Sequence, residues 1–292
     1  MPDLPAHWTF TRRLADAARH LLLSIQYFTR LPLPAPLAHW AGFSPARMKA
    51  ATAHFPGVGW LVAGFSAVVM ALAWHALAAD GSASVWGSVV LSIMASVWMT
   101  GAIHEDGLAD VCDGLGGHAD RETALRIMKD ARLGSYAVIA LVLALLLKVA
   151  LLAALLAKGL GVAISALLVA HVLSRWAAMW LPQRLPYVGS TQAPRNVDGQ
   201  GEGSKAHTLV ANLPFASFVV STMWAAPAMG LLAVQQGLTG MLWVLLVMAV
   251  LTGLLGRFFR RRLGGITGDC LGTTQQLTEL GIYLVLVARI GG

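Results

Sequence analysis

The chain has 292 residues, of which 57% are hydrophobic and 12% charged, and its formal net charge is +7. An average soluble domain carries roughly 25% charged residues, so this composition excludes an ordinary soluble enzyme and a disordered chain, and two cysteines exclude a disulfide scaffold. Seven of the 14 acidic residues fall between Glu105 and Asp130. A chain that avoids charge elsewhere concentrates half its carboxylates there, and we expect the chemistry in this segment.

The first predicted element is an amphipathic or partly inserted helix over about residues 15–28. The apolar run at 21–25 is short and lacks a small-residue cleavage site, so it does not fit a signal peptide. Prolines at 32, 34 and 36 end the helix because proline breaks helical hydrogen bonding and restricts the residue before it.

Apolar stretches long enough to cross a bilayer follow along the chain. A spanning helix needs about 20 mostly apolar residues, and no stretch shows the alternation of a membrane barrel strand. A weaker seventh candidate lies at 277–290. The sequence therefore predicts an all-α, polytopic integral membrane helix bundle of about seven spans (six to eight), forming a single domain over residues 1–292. The six clear stretches are 57–79, 84–103, 135–157, 160–181, 213–235 and 238–256.

Short links join these stretches into three predicted hairpins. They lie at 79–83, 158–159 and 236–237. Basic residues concentrate before the first span and in the long polar segments, so these parts are expected in the cytoplasm by the positive-inside rule. The positive charge then reflects topology and not nucleic-acid binding. The long polar segments, which we expect to form the active site, are 104–133, 182–211 and 257–276.

The acidic segment predicts a metal site. On a helix, Asp106, Asp110 and Asp113 lie at positions i, i+4 and i+7 and therefore share one face. A divalent cation would relieve their mutual repulsion, and carboxylate oxygens suit Mg²⁺, which binds one or two carboxylates together with substrate phosphates. The alternative is a solvated acidic turn between two spans.

Basic residues follow the acids. Residues 121–132 are predicted to form a helix, with Arg126, Lys129 and Arg132 on neighbouring turns of a similar face. Acids for a metal followed by bases for phosphate oxygens indicate a metal–diphosphate site. The alternative for the bases is a solvated helix face.

Within the last polar segment, residues 260–272 contain glycines, three arginines and one acid. Its backbone amides at Gly265 and Gly268 are candidates for cradling an anion beside Asp269. The alternative is a basic stop signal followed by a loop. His104 adjoins the acidic cluster, where it would orient a carboxylate or carry a proton, or is a simple interfacial histidine. For Lys148, inside a predicted span, snorkelling or packing against a neighbouring helix is the preferred interpretation over a function.

Together these strings resemble the cobalamin synthase family, the adenosylcobinamide-GDP ribazoletransferases. The resemblance runs in the family's order through most of the chain. Glu105 stands where many members carry leucine, and the 194–207 loop is short, with only 203–206 similar to the family's glycine–lysine segment. The strings that carry the resemblance are 26–32, 55–59, 104–114, 127–134, 181–187 and 263–269.

The resemblance implies a multi-pass enzyme of the bacterial inner membrane that uses Mg²⁺. It would transfer the cobinamide phosphate of adenosylcobinamide-GDP to α-ribazole or its 5′-phosphate and release GMP, in the last steps of cobalamin biosynthesis. Its partners would be these substrates and the lipid bilayer; a homo-oligomer, contacts with other late pathway enzymes and the choice of lower base stay open.

The resemblance and the residue pattern together suggest how the roles divide. Three aspartates would bind Mg²⁺ and act in catalysis, three bases would neutralise the diphosphate, Asp130 or His104 would accept the hydroxyl proton, and the glycine-rich loop would complete the site. The predicted site residues are His104, Asp106, Asp110, Asp113, Arg126, Lys129, Asp130, Arg132, Gly265, Gly268 and Asp269.

Other membrane proteins share parts of this pattern. A CDP-alcohol phosphotransferase also displaces a nucleoside monophosphate with aspartates on membrane helices, but Asp110 stands where its pattern differs. A prenyltransferase usually has two aspartate-rich motifs, and only Asp269 follows the first cluster here. A transporter or Mg²⁺ channel predicts acids inside the spans, whereas these acids are expected at the span ends.

Overall fold

The computed structural model describes residues 6–77, 82–189, 210 and 213–290, and within these parts the chain is helical with no strand. This confirms the all-α prediction. We number the helices in chain order as α1 (Ala6–Phe28), α2 (Ala35–Ala41), α3 (Pro45–Ala51), α4 (Phe55–Ala76), α5 (Ser82–Thr100), α6 (Ile103–Gly116), α7 (Arg121–Ile127), α8 (Ser135–Leu156), α9 (Leu160–Ala178), α10 (Phe215–Leu263) and α11 (Gly268–Ile290).

The predicted N-terminal helix is present as α1, although it begins earlier than expected, at Ala6. It ends at Phe28, where the Thr29 hydroxyl donates to the carbonyl of Ile25 at 2.7 Å, and the proline-containing segment follows. The short helices α2 and α3 come next. Ser44 caps α3 by accepting a hydrogen bond from the Arg47 amide at 3.2 Å.

Each of the six clear apolar stretches falls on a helix, but two of them share α10. This element is interrupted at Gly237, whose φ of 69° and ψ of 172° are not helical. Of the predicted links, 158–159 is also confirmed as a short connection between α8 and α9, whereas most of 79–83 lies outside the described residues.

The number of spans depends on how these helices are counted. In the described parts, four helical segments are long and apolar enough to cross a membrane, or five if α5 and α6 count as one broken span. The membrane bundle is confirmed, whereas about seven spans are reached only if α5 and α6 count as one span, α10 counts twice and α11 is included. The four segments are Pro45–Ala76, Ser135–Leu156, Leu160–Ala178 and Phe215–Leu263.

The axis changes direction by 86° between α5 and α6. Gly101 and Ala102 make this turn with φ values of 67° and 61°, the left-handed region that glycine tolerates and alanine rarely adopts. Because α5 alone is 19 residues long and α6 carries four acidic residues, we place α6 outside the apolar spans.

Helix α11 lies in the interior of the bundle, against α6, α8, α9 and α10. It is buried on nearly all sides between Cys270 and Tyr283, although that stretch contains several threonines and glutamines. Polar residues are tolerated there because protein groups, and not lipid, satisfy their hydrogen bonds. The weak seventh candidate, 277–290, is therefore part of a longer and more polar helix than predicted.

Two large apolar clusters contribute most of the core in the described part of the chain. The larger one joins α4, α8, α9, α10 and α11 through buried side chains such as Met70, Leu152 and Leu173. A second cluster lies under the polar segments, where Leu115 of α6, Phe259 of α10 and Met128, directly after α7, come together. This second cluster fixes the end of α6 relative to the end of α10, and so positions the candidate site.

Candidate active site

The predicted acidic face is present on α6. Asp106 is exposed and Asp110 and Asp113 are partly buried on this 14-residue helix. The structure brings the predicted site residue Asp269, from the first turn of α11, next to this face, because the two helices touch at Gly107. A Cβ atom on Gly107 would lie 3.0 Å from the Asp269 carbonyl oxygen and 3.1 Å from its Cα. Carboxylates separated by more than 150 residues in sequence therefore belong to one cluster.

The electrostatics of the carboxylates reflect this proximity. Burial, followed by the charges of Asp269, Asp106 and Asp113, raises the pKa of Asp110 from 3.8 to about 7. Burial also raises the pKa of Asp269 to about 6, against the lowering effect of its hydrogen bond from Thr267. Like charges in a partly buried cluster favour protonation unless a cation binds.

The donor chemistry of this cluster fits Mg²⁺. In the part of the chain that the structure describes, no group of three or more His, Cys, Asp or Glu side chains is already arranged around a metal position. Mg²⁺ does not require such a cage, because it retains waters and binds one or two carboxylates together with substrate phosphates. The exposed carboxylate of Asp106 and the half-buried carboxylate of Asp110 can provide that pair.

Asp113 has a structural partner in addition to its predicted metal role. Its carboxylate accepts hydrogen bonds from the amides of Gly134 and Ala137, the latter at 2.8 Å. These amides open α8, so Asp113 caps that helix from another element and complements its positive end. Gly134 leaves room for the carboxylate, because a Cβ there would lie 2.6 Å from Asp113 Oδ1. Its part in metal binding stays a prediction.

His104 faces away from the aspartate cluster. Its ring stacks on Phe55 with a centroid separation of 5.6 Å and is 4% exposed. It lines a small polar cavity together with Lys148, Arg175 and Glu279, and its Nε2 atom has no hydrogen-bond partner among the described residues. The structure therefore does not bring His104 together with the carboxylates, and its proton-transfer role stays a prediction.

The basic segment differs from the prediction. Helix α7 ends at Ile127 and does not continue to residue 132, because the Asp130 carboxylate accepts from the Arg132 amide at 3.1 Å and closes a turn. The expected common helical face for the three bases is therefore wrong. Arg126 and Lys129 are exposed, and the Lys129 charge lowers the pKa of Asp269.

Asp130 is engaged by its neighbour. Arg132 donates to it through Nε at 3.0 Å and Nη2 at 2.6 Å. These hydrogen bonds lower the pKa of Asp130 to about 2, which makes it a weak proton acceptor in this conformation. Neither the diphosphate role of Arg132 nor the base role of Asp130 is tested by this geometry.

The glycine-rich segment has clear structural roles. Gly264 ends α10 with a left-handed φ of 77°, as glycine commonly does at a helix C-terminus. Gly265 packs against the carbonyl of Pro186, which a Cβ would overlap, and the Ile266 amide donates to that same carbonyl at 2.9 Å. Gly268 opens α11 beside Asp269. The Ile266 amide is therefore already used within the protein, and anion binding by the amides of Gly265 and Gly268 stays a prediction.

Two arginines of the polar segments bind helix ends. Arg262 donates to the carbonyls of Leu115 and Gly117, both at 3.0 Å, at the end of α6. Arg121 donates to the carbonyl of Leu263 at 2.6 Å, at the end of α10. Cationic groups stabilise the negative ends of helices, so these side chains tie the polar segments together. Beyond residue 189, the 182–211 segment, including Lys205, lies almost wholly outside the described residues.

Sequence reasoning missed a buried charged network. Lys148 on α8 is 3% exposed and forms an ion pair of 3.2 Å with Glu279 on α11. Arg175 on α9 is 1% exposed and donates to the carbonyl of His171 at 2.9 Å. Of the two interpretations preferred for Lys148, snorkelling is therefore wrong, and packing against a neighbouring helix is confirmed. The available signal was an ionisable residue within a span, which marks a partner or a function.

The fold and the site define a helical membrane protein with a carboxylate cluster where two polar helix ends meet. A family model described as cobalamin-5-phosphate synthase matches residues 20–287. The chain belongs to this family, whose members act in cobalamin biosynthesis, and the family resemblance expected from the sequence is confirmed.

Relatives cover nearly the whole chain. A protein of Albidiferax ferrireducens is 43% identical over 95% of this chain and 100% of its own length. One of Polaromonas naphthalenivorans is 42% identical over 93% and 98%, and one of Vibrio cholerae is 36% identical over 91% and 92%. Each is named adenosylcobinamide-GDP ribazoletransferase. No solved structure matches the chain significantly.

Proposed function

We propose that this protein is an adenosylcobinamide-GDP ribazoletransferase that uses Mg²⁺. It would transfer the cobinamide phosphate of adenosylcobinamide-GDP to a ribose hydroxyl of α-ribazole or its 5′-phosphate and release GMP. The observation that carries the proposal is the meeting of Asp106 and Asp110 on α6 with Asp269 on α11, in a chain whose relatives carry that name over nearly their full length.

The residues suit a phosphoryl transfer in which alignment and charge neutralisation matter more than covalent catalysis. Asp106 and Asp110 would hold Mg²⁺, directly or through water, and Asp113 would contribute through the end of α6 that it anchors. When bound, Mg²⁺ would neutralise charge on the diphosphate and the departing GMP. Arg126, Lys129 and Arg132 would approach the same oxygens, and Arg132 would first leave Asp130.

A proton must also leave the attacking hydroxyl. We assign this role to Asp269, because Asp106 and Asp110 are assigned to Mg²⁺ and the Asp269 carboxylate accepts a hydrogen bond from the Thr267 hydroxyl at 3.1 Å. The acceptor hydroxyl would therefore approach from the α11 side of the cluster. We further propose that the site faces the cytoplasm in a bacterial inner membrane, in accordance with the basic polar segments.

The experiment uses purified protein in lipid nanodiscs with adenosylcobinamide-GDP, α-ribazole 5′-phosphate and Mg²⁺, and measures GMP release and corrinoid product. Asp106→Asn and Asp110→Asn should each lower turnover by about 100-fold, the scale for removing one group that stabilises transition-state charge. Asp16→Asn, which changes an exposed carboxylate on α1, is the matched control. Absence of product from the unaltered protein would refute the activity, and turnover unaffected by chelation would refute the metal assignment.

A further inference from the structure

The two helices that carry the carboxylates touch through their backbones. At one end of the contact Gly107 of α6 lies against Asp269 of α11, and one turn away Gly272 lies against His104. A Cβ on Gly272 would be 3.2 Å from the His104 carbonyl oxygen and 3.3 Å from its Cα. No side chain separates the helices here, so a small shift of either helix changes the spacing of the carboxylates directly.

One buried hydroxyl lies in this contact. Thr273 Oγ1 is 3.0 Å from the carbonyl oxygen of Gly107 and 2.9 Å from that of Asp269. Gly107 directly follows Asp106 in sequence, so this hydroxyl joins the backbones beside two carboxylates on different helices. Its side chain is 2% exposed.

The neighbouring threonines of α11 make a useful contrast. Thr274 donates to the carbonyl of Cys270 at 2.7 Å, and Thr278 donates to those of Thr274 and Gln275 at 2.6 and 3.2 Å. These are bonds within the same helix, which threonine makes in many helices. The hydroxyl bond to Gly107 therefore distinguishes Thr273, since it reaches across to α6.

Electrostatic repulsion acts at the same place. Carboxylates on α6 and α11 repel one another across the glycine contact, and burial weakens the screening by water. Within a membrane bundle the attraction between helices comes from close packing of small residues and from interhelical hydrogen bonds. The Thr273 hydroxyl supplies such a bond next to the repelling charges.

We propose that Thr273 is a positioning residue that holds α6 at the distance from α11 at which Asp106, Asp110 and Asp269 act on one substrate. This inference rests on the proposed function for its activity readout. Thr273 itself contacts neither substrate nor metal in this proposal. It acts by setting the distance between the carboxylates of α6 and that of α11.

The test compares three variants in nanodiscs. Thr273→Val keeps the shape and removes the hydroxyl, Thr273→Ser keeps the hydroxyl, and Thr274→Val removes a buried hydroxyl that bonds only within α11. Thr273→Val should raise the Mg²⁺ concentration for half-maximal turnover by roughly 3- to 10-fold, the range for one interhelical hydrogen bond in a membrane protein. Thr273→Ser and Thr274→Val should match the unaltered protein, and kcat at saturating Mg²⁺ should change little.

A second measurement does not depend on turnover. Amide hydrogen exchange of peptides covering α6 should become faster in Thr273→Val and stay unchanged in Thr274→Val. Equal exchange and equal Mg²⁺ dependence in Thr273→Val and the unaltered protein would overturn the proposal, as would an equal change in Thr274→Val. If the unaltered protein shows no turnover or no Mg²⁺ dependence, the proposed function fails, and hydrogen exchange still decides the role of Thr273.

Discussion

Replacing Asp110 with Asn should stabilise the metal-free protein while lowering its turnover by about 100-fold. Asp110 is half buried among other carboxylates, and its pKa rises from 3.8 to about 7. A change of that size corresponds to about 4 kcal/mol at 1.36 kcal/mol for each pKa unit. Because Asp110 is only half buried, solvent screening reduces this to about 2 kcal/mol.

The direction with pH follows from linkage. The folded-state pKa of Asp110 lies above its unfolded value. The contribution of the protonated Asp110 to the free energy of unfolding is therefore fully present below about pH 4 and is lost as the pH rises through about 7. Asn cannot ionise and avoids this loss. The variant should therefore be more stable than the unaltered protein by about 2 kcal/mol at pH 8 and by less than about 1 kcal/mol at pH 5.

The assay is unfolding in nanodiscs with chelator present, at pH 5 and pH 8, followed by a titration with Mg²⁺ at pH 8. Mg²⁺ should stabilise the unaltered protein and have a smaller effect on Asp110→Asn, because the variant has lost a carboxylate ligand. Asp16→Asn, at an exposed position, should show no pH-dependent difference. If Asp110→Asn is no more stable at pH 8, or if its gain is the same at both pH values, the carboxylate-repulsion argument is wrong.

Two further predictions concern the charges that hold the helices together. Lys148→Met and Glu279→Gln should each destabilise the protein by about 3–5 kcal/mol, because a buried charge loses its partner. In the same unfolding assay the double variant should recover part of this loss, and only part, because buried Arg175 lines the same cavity and also loses the Glu279 charge. Equal losses in all three variants would contradict a charge pair. Arg262→Ala should lower the free energy of unfolding by about 1–2 kcal/mol, because α6 loses a cation at its C-terminal carbonyls. The control Arg261→Ala changes an exposed neighbour and should be nearly neutral. Equal effects of the two substitutions would refute the role of Arg262 at the helix end.

Several features of the site could be predicted from the sequence because they depend on local spacing. The spacing of Asp106, Asp110 and Asp113 at i, i+4 and i+7 is a helical pattern, and α6 is a helix over those positions. The end of α7 was mispredicted for an equally local reason. The basic spacing favoured a continuous helix to residue 132, but a side-chain turn at Asp130 competes with helical hydrogen bonding.

The sequence could not predict which way the individual side chains of α6 point. His104 and Asp106 are two residues apart, yet one lines a buried polar cavity and the other is exposed beside the carboxylate cluster. Asp113 carries the same charge as Asp110, yet the arrival of α8 makes it a helix cap. Each difference depends on which element packs against that face of α6.

The sequence by itself determined that the protein is a helical membrane protein, that its acids lie together on one helix, and to which family it belongs. Hydropathy, helical period and motif order are properties of neighbouring residues. Only the tertiary structure decided which helices bring Asp269 to the α6 aspartates and that Lys148 meets Glu279 inside the bundle. Such meetings depend on close packing between distant segments, and no local pattern specifies which helices will cross. The contact of α6 with α11, for example, is made through Gly107, Gly272 and Thr273.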